Sequence, residues 1–372
     1  MSPSTRLALL ATLSSTPAFA APFLAIGDNA ELYLTASTVA RYEDNLSLAT
    51  DALKQSDMIY EFTPGFELNY GKKGNFNARL NVFENFVRYT DFSSLNNELF
   101  NALFSSTYTG SKLSVDAKAG FQQLNQNTRA VAGSIVVRRD ITTANIHSEY
   151  ALTEKTKFGV GYDHDQTAYR SAALTDNQAY TIPVNYYYAI SPKVDLSAGF
   201  RYRQTNVDGT LQDTKDLNYN VGARGEFTAK LSGNFDVGYT MRNKTTLSDD
   251  SLMAVNSGLS YEYSPKTQFT LDLRKDFDTS AIGSSQQTVS IKLGAKTKLN
   301  EALAVSSSLM YERINFEGGR DDDFYSASLG LDYTVNKHVS LLAAYQYQNN
   351  SSNVAVAEFA ANVISVSANF RY

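Results

Sequence analysis

Eight short turns divide the chain at near-regular intervals, and the residues between them alternate apolar and polar with a period of two. The turns are Gly71 to Gly74, Gly110-Ser111-Lys112, Thr153-Glu154-Lys155, Ser191-Pro192-Lys193, Thr228-Ala229-Lys230, Ser264-Pro265-Lys266, Lys298 to Glu301 and Val335-Asn336-Lys337. Their lysines lie roughly 32 to 43 residues apart, room for two strands of about 10 residues and one longer loop. The longer, polar connections are Glu43 to Ser56, Thr90 to Asn97, Leu124 to Arg129, Tyr169 to Asp176, Val207 to Thr214, Asn243 to Asp250, Asp278 to Ser285, Glu317 to Asp322 and Asn349 to Ala357. Nine loops and eight turns predict eighteen strands, with 16 as the lower bound. Leu124 to Leu152 is the least sharply divided stretch, where Val131 to Val137 reads as loop or as strand extension.

One face of each strand is apolar. Val194, Leu196, Ala198, Phe200 and Tyr202 alternate with Asp195, Ser197, Gly199, Arg201 and Arg203, and the strands at Leu231 and Val289 repeat the pattern. A soluble sandwich produces the same alternation with its apolar faces packed inward. The two ends of the chain favour lipid instead. Val366 to Tyr372 alternates to a final aromatic, as outer-membrane barrels do, and Phe370 with Tyr372 is expected to act as the signal read by the barrel-assembly machinery. At the other end Arg6, the apolar Leu7 to Leu13 and Ala18-Phe19-Ala20 read as a cleavable export leader too short to span a bilayer.

The expectation is therefore an all-β, transmembrane outer-membrane antiparallel up-and-down β-barrel of about 18 strands, with both termini periplasmic. Residues 1–20 would be the signal peptide, 21–30 a short periplasmic segment and 31–372 the barrel. With 24 Tyr and 21 Phe, aromatics recur beside the turns at Tyr70, Phe76, Tyr108, Tyr150, Phe158, Tyr188, Phe227, Tyr263, Phe269 and Tyr333, the places for an interfacial belt. The absence of Cys excludes a disulfide framework and a lipoprotein anchor, and the net charge of -5 argues against a nucleic-acid partner. Outer-membrane lipid and lipopolysaccharide are the expected surroundings.

Arg41-Tyr42-Glu43-Asp44-Asn45-Leu46, then Ser56-Asp57 and Phe62-Thr63-Pro64-Gly65-Phe66-Glu67-Leu68, resemble the opening of the outer-membrane β-barrel porin family 2. That resemblance implies an integral outer-membrane barrel, in many bacteria encoded beside exopolysaccharide synthesis and export genes. Glu43 stands where the family commonly has Asp. The residues themselves suggest that Asp44 and Asn45 bond nearby backbone at a strand exit. Pro64 and Pro183 should each leave a bulge or a gap in pairing, because proline donates no ladder bond.

No catalytic constellation stands out. The histidines are His147, His164 and His338, and the neighbours of the strongest candidate, His147 with Ser148 and Glu149, alternate between faces. Asp321-Asp322-Asp323 reads as a solvated loop in preference to a calcium site, so no metal or cofactor is expected. Function is expected in the lumen, where the alternation points Arg201, Arg203, Arg224, Arg242, Arg274, Lys292 and Lys296 inward with Asp195, Glu226, Asp236, Asp272, Asp276 and Asp332. The predicted activity is a passive, non-enzymatic channel, which the resemblance tilts toward polysaccharide and its export proteins. A general small-solute porin and a surface-interaction barrel with a plugged lumen are the alternatives. The short loops favour an open bore.

Overall fold

A barrel needs every strand paired on both sides, and the chain achieves this around the whole circumference. The computed structural model describes residues 21–372 except 73, 130, 132–135, 210–212 and 246, so the expected leader lies outside the described residues. After a short β1 (Leu24–Ile26) come β2 (Ala30–Glu43), β3 (Asp57–Tyr70), β4 (Phe76–Tyr89), β5 (Asn97–Thr109), β6 (Leu113–Asn127) and β7 (Val136–Ala151). Then follow β8 (Thr156–Tyr169), β9 (Asn177–Ser191), β10 (Val194–Val207), β11 (Thr214–Glu226), β12 (Leu231–Lys244) and β13 (Asp250–Ser264). The circuit ends with β14 (Thr267–Thr279), β15 (Ser285–Lys298), β16 (Leu303–Phe316), β17 (Asp321–Thr334), β18 (Val339–Ser352) and β19 (Phe359–Arg371).

The eighteen strands β2 to β19 pair antiparallel in chain order, and β19 returns to β2 from Val363↔Glu43 to Arg371↔Thr35. Tyr372 completes the seam by exchanging backbone bonds with Leu34 at 2.7 and 2.9 Å. Closure removes the open edge that lipid would leave unsatisfied. The stretch expected as a short periplasmic segment carries β1, which pairs with Ala30 to Leu32 of β2 just beyond the end of β19. The eight turns and nine loops fall between the expected strands, with three loops shortened: β6 runs on to Asn127, β17 begins at Asp321 and β18 runs on to Ser352. Both ends of the barrel lie at the rim formed by the short turns.

Facing follows the alternation. Leu196, Phe200, Phe235, Tyr239, Ile291 and Leu293 are exposed on the outside, a surface that only lipid satisfies. The aromatics beside the short turns stand there too: Tyr70 lies 6.2 Å from Phe76, Tyr263 6.2 Å from Phe269, and Phe370 stacks on Tyr372 at 6.5 Å. Gly71 opens the first turn with φ +96°, where a Cβ would collide with the Phe76 carbonyl. The two prolines leave gaps and no bulge. β3 keeps Pro64 paired with Ala36 but loses pairing to β4 between Phe62 and Gly65 without a change of register. Around Pro183, β8 and β9 part in the same way between Val160↔Val184 and Asp163↔Thr181.

Beside the seam, Arg371 turns inward, donates to Glu67 at 2.7 Å and lies 3.5 Å over the Tyr33 ring. Arg371→Ala removes the closest cation from the buried Glu67 but leaves it Asn69 and Arg79, so the cost falls below the ~3–5 kcal/mol of breaking a fully isolated buried pair. The expected result is a lower urea midpoint for the variant folded into lipid vesicles, with Arg371→Lys retaining part of the loss. An unchanged midpoint would show that the seam does not depend on this pair.

Candidate lumenal site

The inward positions of β10, β11, β12 and β14 carry the densest charge in the barrel. Arg201 donates to Asp276 at 2.8 Å; Arg203 donates to Asp216 at 2.7 Å and to the Phe277 carbonyl at 2.9 Å. Arg242, 1 % exposed, grips both oxygens of Asp216 at 2.6 and 2.8 Å and donates to the Asp278 carbonyl and the Ser285 hydroxyl. Arg274 makes a bidentate pair with Asp278 at 2.7 and 2.8 Å. The fork of each guanidinium suits this sharing, since several donors satisfy carboxylates and carbonyls at once.

These bonds hold the end of β14 inside the barrel. β13 and β14 stay paired up to Val255↔Lys275 and then part, while β14 and β15 remain paired to Thr279↔Ser285. The freed tip bends inward. Phe277, fully buried, seats against Leu252 and Ala254 under the Arg242 guanidinium, 4.6 Å from its ring. Beyond it Ala281 packs with Val137 and Leu174, and its carbonyl accepts from the Thr175 N–H at 2.9 Å. The tip therefore reaches the loop between β8 and β9.

Two further loops turn inward. In the loop after β2, Leu46 joins a buried cluster with Ile59, Val87, Tyr89 and Leu99, and Leu48, at φ +50°, joins Phe324, Phe359 and Ala361. After β6, Arg129 crosses to Glu312 on β16 at 2.5 Å and lies 3.8 Å over the Phe324 ring. The Asn127 amide meets the Leu46 carbonyl, so the end of β6 touches the loop after β2. The expectation that short loops favour an open bore did not foresee these inward segments. Length is a poor guide because the tip of β14 enters by unzipping from its neighbour, which needs no extra residues.

The remaining predicted residues fall into several places. Arg224 pairs with Glu149 at 2.5 and 2.7 Å and with Asp195, which also takes Lys157 at 2.9 Å, and it stacks 3.5 Å over Tyr187. Asp236 accepts from Ser197 and Asn234 on the lumenal wall. Asp272 and Lys292 line the cavity directly opposite one another in register without forming a salt bridge. Lys296 takes the inward side of β15 nearer the short turns; Asp332 takes that of β17. Glu226 lies at the short-turn rim, exposed, paired with Lys193 of the adjoining turn. Asp216 and Asp278 complete the arginine cluster; the alternation points Asp216 inward, but Asp278 falls within the expected loop.

Asp321, Asp322 and Asp323 belong to β17 and do not form the expected solvated loop. Their faces alternate: Asp322 is 1 % exposed and paired with Arg320, whereas Asp323 accepts from the Tyr311 hydroxyl at 2.6 Å. His147 meets Asp163 at 2.7 Å, while Ser148 reaches the Val160 carbonyl and Glu149 holds Arg224. The family-like Asp44 and Asn45 do bond backbone. Asn45 holds Ala49 at 2.9 and 2.7 Å, and Asp44 accepts from Asn362 N–H at 2.6 Å across the seam.

Below the inward loops the wall encloses a cavity of about 1020 Å³. Asn145, Asn185, Asn218, Asn220, Asn234 and Asn256 line it from β7, β9, β11, β12 and β13. Gly199 makes room for one of them, since a Cβ there would meet the Asn185 amide oxygen at 2.1 Å. A closed sheet, apolar outside and hydrophilic within, is a transmembrane β-barrel of the porin-like, outer-membrane type. The chain belongs to the putative beta-barrel porin 2 family, whose profile matches residues 35–372. No curated protein matches the sequence. Among solved structures it is similar to Pseudomonas aeruginosa OccK2 (OpdF) in complex with glucuronate, at 9% identity over 92% of this chain and 98% of that one, with a TM-score of 0.50. Acinetobacter baumannii OccAB2 is matched at 12% identity over 93% and 98%, also at 0.50. Against the ferric citrate transporter FecA in its unliganded form the identity is 12% over 88% of this chain, with a TM-score of 0.45, and the match spans 61% of FecA. At these identities the likeness concerns the fold alone.

Phe277→Ala removes about 3–5 kcal/mol of packing from the tip while leaving the strands paired. Single-channel conductance should rise and the shift in gel mobility on heating, the mark of a folded barrel, should persist. Unchanged conductance would mean that the tip does not limit the bore.

Proposed function

We propose that this protein is a passive outer-membrane channel for linear oligosaccharide or polysaccharide, with the short-turn rim and both termini in the periplasm and the loops outside. The observation that carries the sugar assignment is the band of asparagines around the cavity. Each carboxamide offers two donors and one acceptor, a match for sugar hydroxyls that act as both. The Asn220 amide oxygen is buried and has no hydrogen-bond partner among the described residues. The narrowed mouth suits a slender chain better than a bulky solute, and the short-turn rim would be the surface available to export proteins. A second reading, a surface-interaction barrel with a plugged lumen, draws on the three inward loops.

Purified protein in a planar lipid bilayer separates the two. Stable openings blocked by added linear glycans support the channel; a correctly folded barrel that never conducts supports the plug. Replacing Asn185, Asn220 and Asn256 together by Ala removes three hydrogen bonds of about 0.5–1.5 kcal/mol each, so glycan block should weaken by about tenfold or more. Conductance without glycan should stay near that of the unaltered protein.

A further inference from the structure

We propose that Arg201, Arg203 and Arg242 form a binding site for the carboxylates of an acidic, uronate-bearing glycan, a site that the Asp276 carboxylate and the Asp278 carbonyl on the inward tip now occupy. This rests on the channel reading above and names its substrate class. On the fixed wall of β10 to β12, Arg203 and Arg242 share one carboxylate, Asp216, whereas Arg201 pairs with Asp276 of the tip. Arg203 also reaches Asp276, at 3.4 Å, and Arg242 gives one bond to the tip, at the Asp278 carbonyl, and another to the Ser285 hydroxyl of β15. Lifting the tip exposes an excess of positive charge on a wall already shaped for carboxylates.

A second position for the tip is built into the strands. Extending the β13–β14 register beyond Val255↔Lys275 would set Asp276 opposite Ala254 and Thr279 opposite Ser251. Phe277 would then fall opposite Met253, on the lipid-facing side shared with Phe269 and Leu271. The backbone edge of β13 from Asp250 to Ala254 is the partner left waiting. Asp276 and Asp278 occupy alternate positions of an extended strand, so they present two carboxylates about 7 Å apart, the first to Arg201 and Arg203 and the second to Arg274. A glycan with a carboxylate on successive sugars offers the same repeated anion, and its linked charges compete better than separate ones.

The chain has no cysteine, so Ala281→Cys provides a single reporter at a site 5 % exposed. The folded variant in vesicles is treated with a membrane-impermeant maleimide at low ionic strength, with oligogalacturonate or with neutral maltodextrin. Oligogalacturonate should speed labelling by about tenfold or more, the change expected when a minor conformation becomes dominant; maltodextrin should not. Asp276→Asn with Asp278→Asn should label fast without glycan and be blocked by less oligogalacturonate, and adding Arg201→Gln should reverse that gain. Should the double variant fail to fold, the labelling of Ala281→Cys still decides. Equal acceleration by maltodextrin, or none by oligogalacturonate in a barrel that conducts, overturns the acidic-glycan site. Accelerated labelling in a barrel that never conducts supports the site and refutes the channel reading.

Discussion

Within hydrocarbon a backbone N–H or C=O has no water to turn to, and the architecture follows from that single constraint. Eighteen strands satisfy it by pairing in chain order, and the β19–β2 seam satisfies it where the last strand meets the first of the circuit. Tyr372 and Leu34 exchange the last bonds, with Arg371 and Glu67 fixed just inside. Each proline breaks the pairing locally, and register is kept on both sides of the gap.

Where pairing does lapse over a longer stretch, between β13 and β14 beyond Val255, the interior takes over. Arg242, Asp216 and Phe277 replace a ladder with charge-assisted hydrogen bonds, a ring under a guanidinium and a small apolar nest. Leu252 and Ala254 belong to that nest although their positions face a largely polar wall. The exchange brings the tip inside without lengthening any loop, which is why loop length says little about what enters the bore.

The segment that resembles the family opening has a comparable role. Asp44 and Asn45 fasten the first loop to β19 and to itself, so that Leu46 and Leu48 drop into separate buried clusters. Asp57, 2 % exposed, accepts the backbone N–H groups of Thr90, Asp91 and Phe92 and shapes the loop after β4. These residues organise the long-loop rim by hydrogen bonding and burial.

Strand number, strand order and the facing of Arg201, Arg203, Arg224, Arg242 and Arg274 were legible in the sequence, because a period of two and hairpin turns are local signals that survive without knowing any contact. The expected loop after β6 was displaced, and Asp321 to Asp323 were read as loop, because polar strand ends on a wet rim look like connections. Which carboxylate meets which arginine was not legible: Asp276 reaches Arg201 across three intervening strands, and Glu149 reaches Arg224 across the lumenal wall. The sequence determined a closed barrel and its two faces, since alternation acts residue by residue. Only the tertiary structure decided that the tip of β14 lies inside, since that depends on side chains from β10, β11, β12 and β14 that the closed sheet alone brings together.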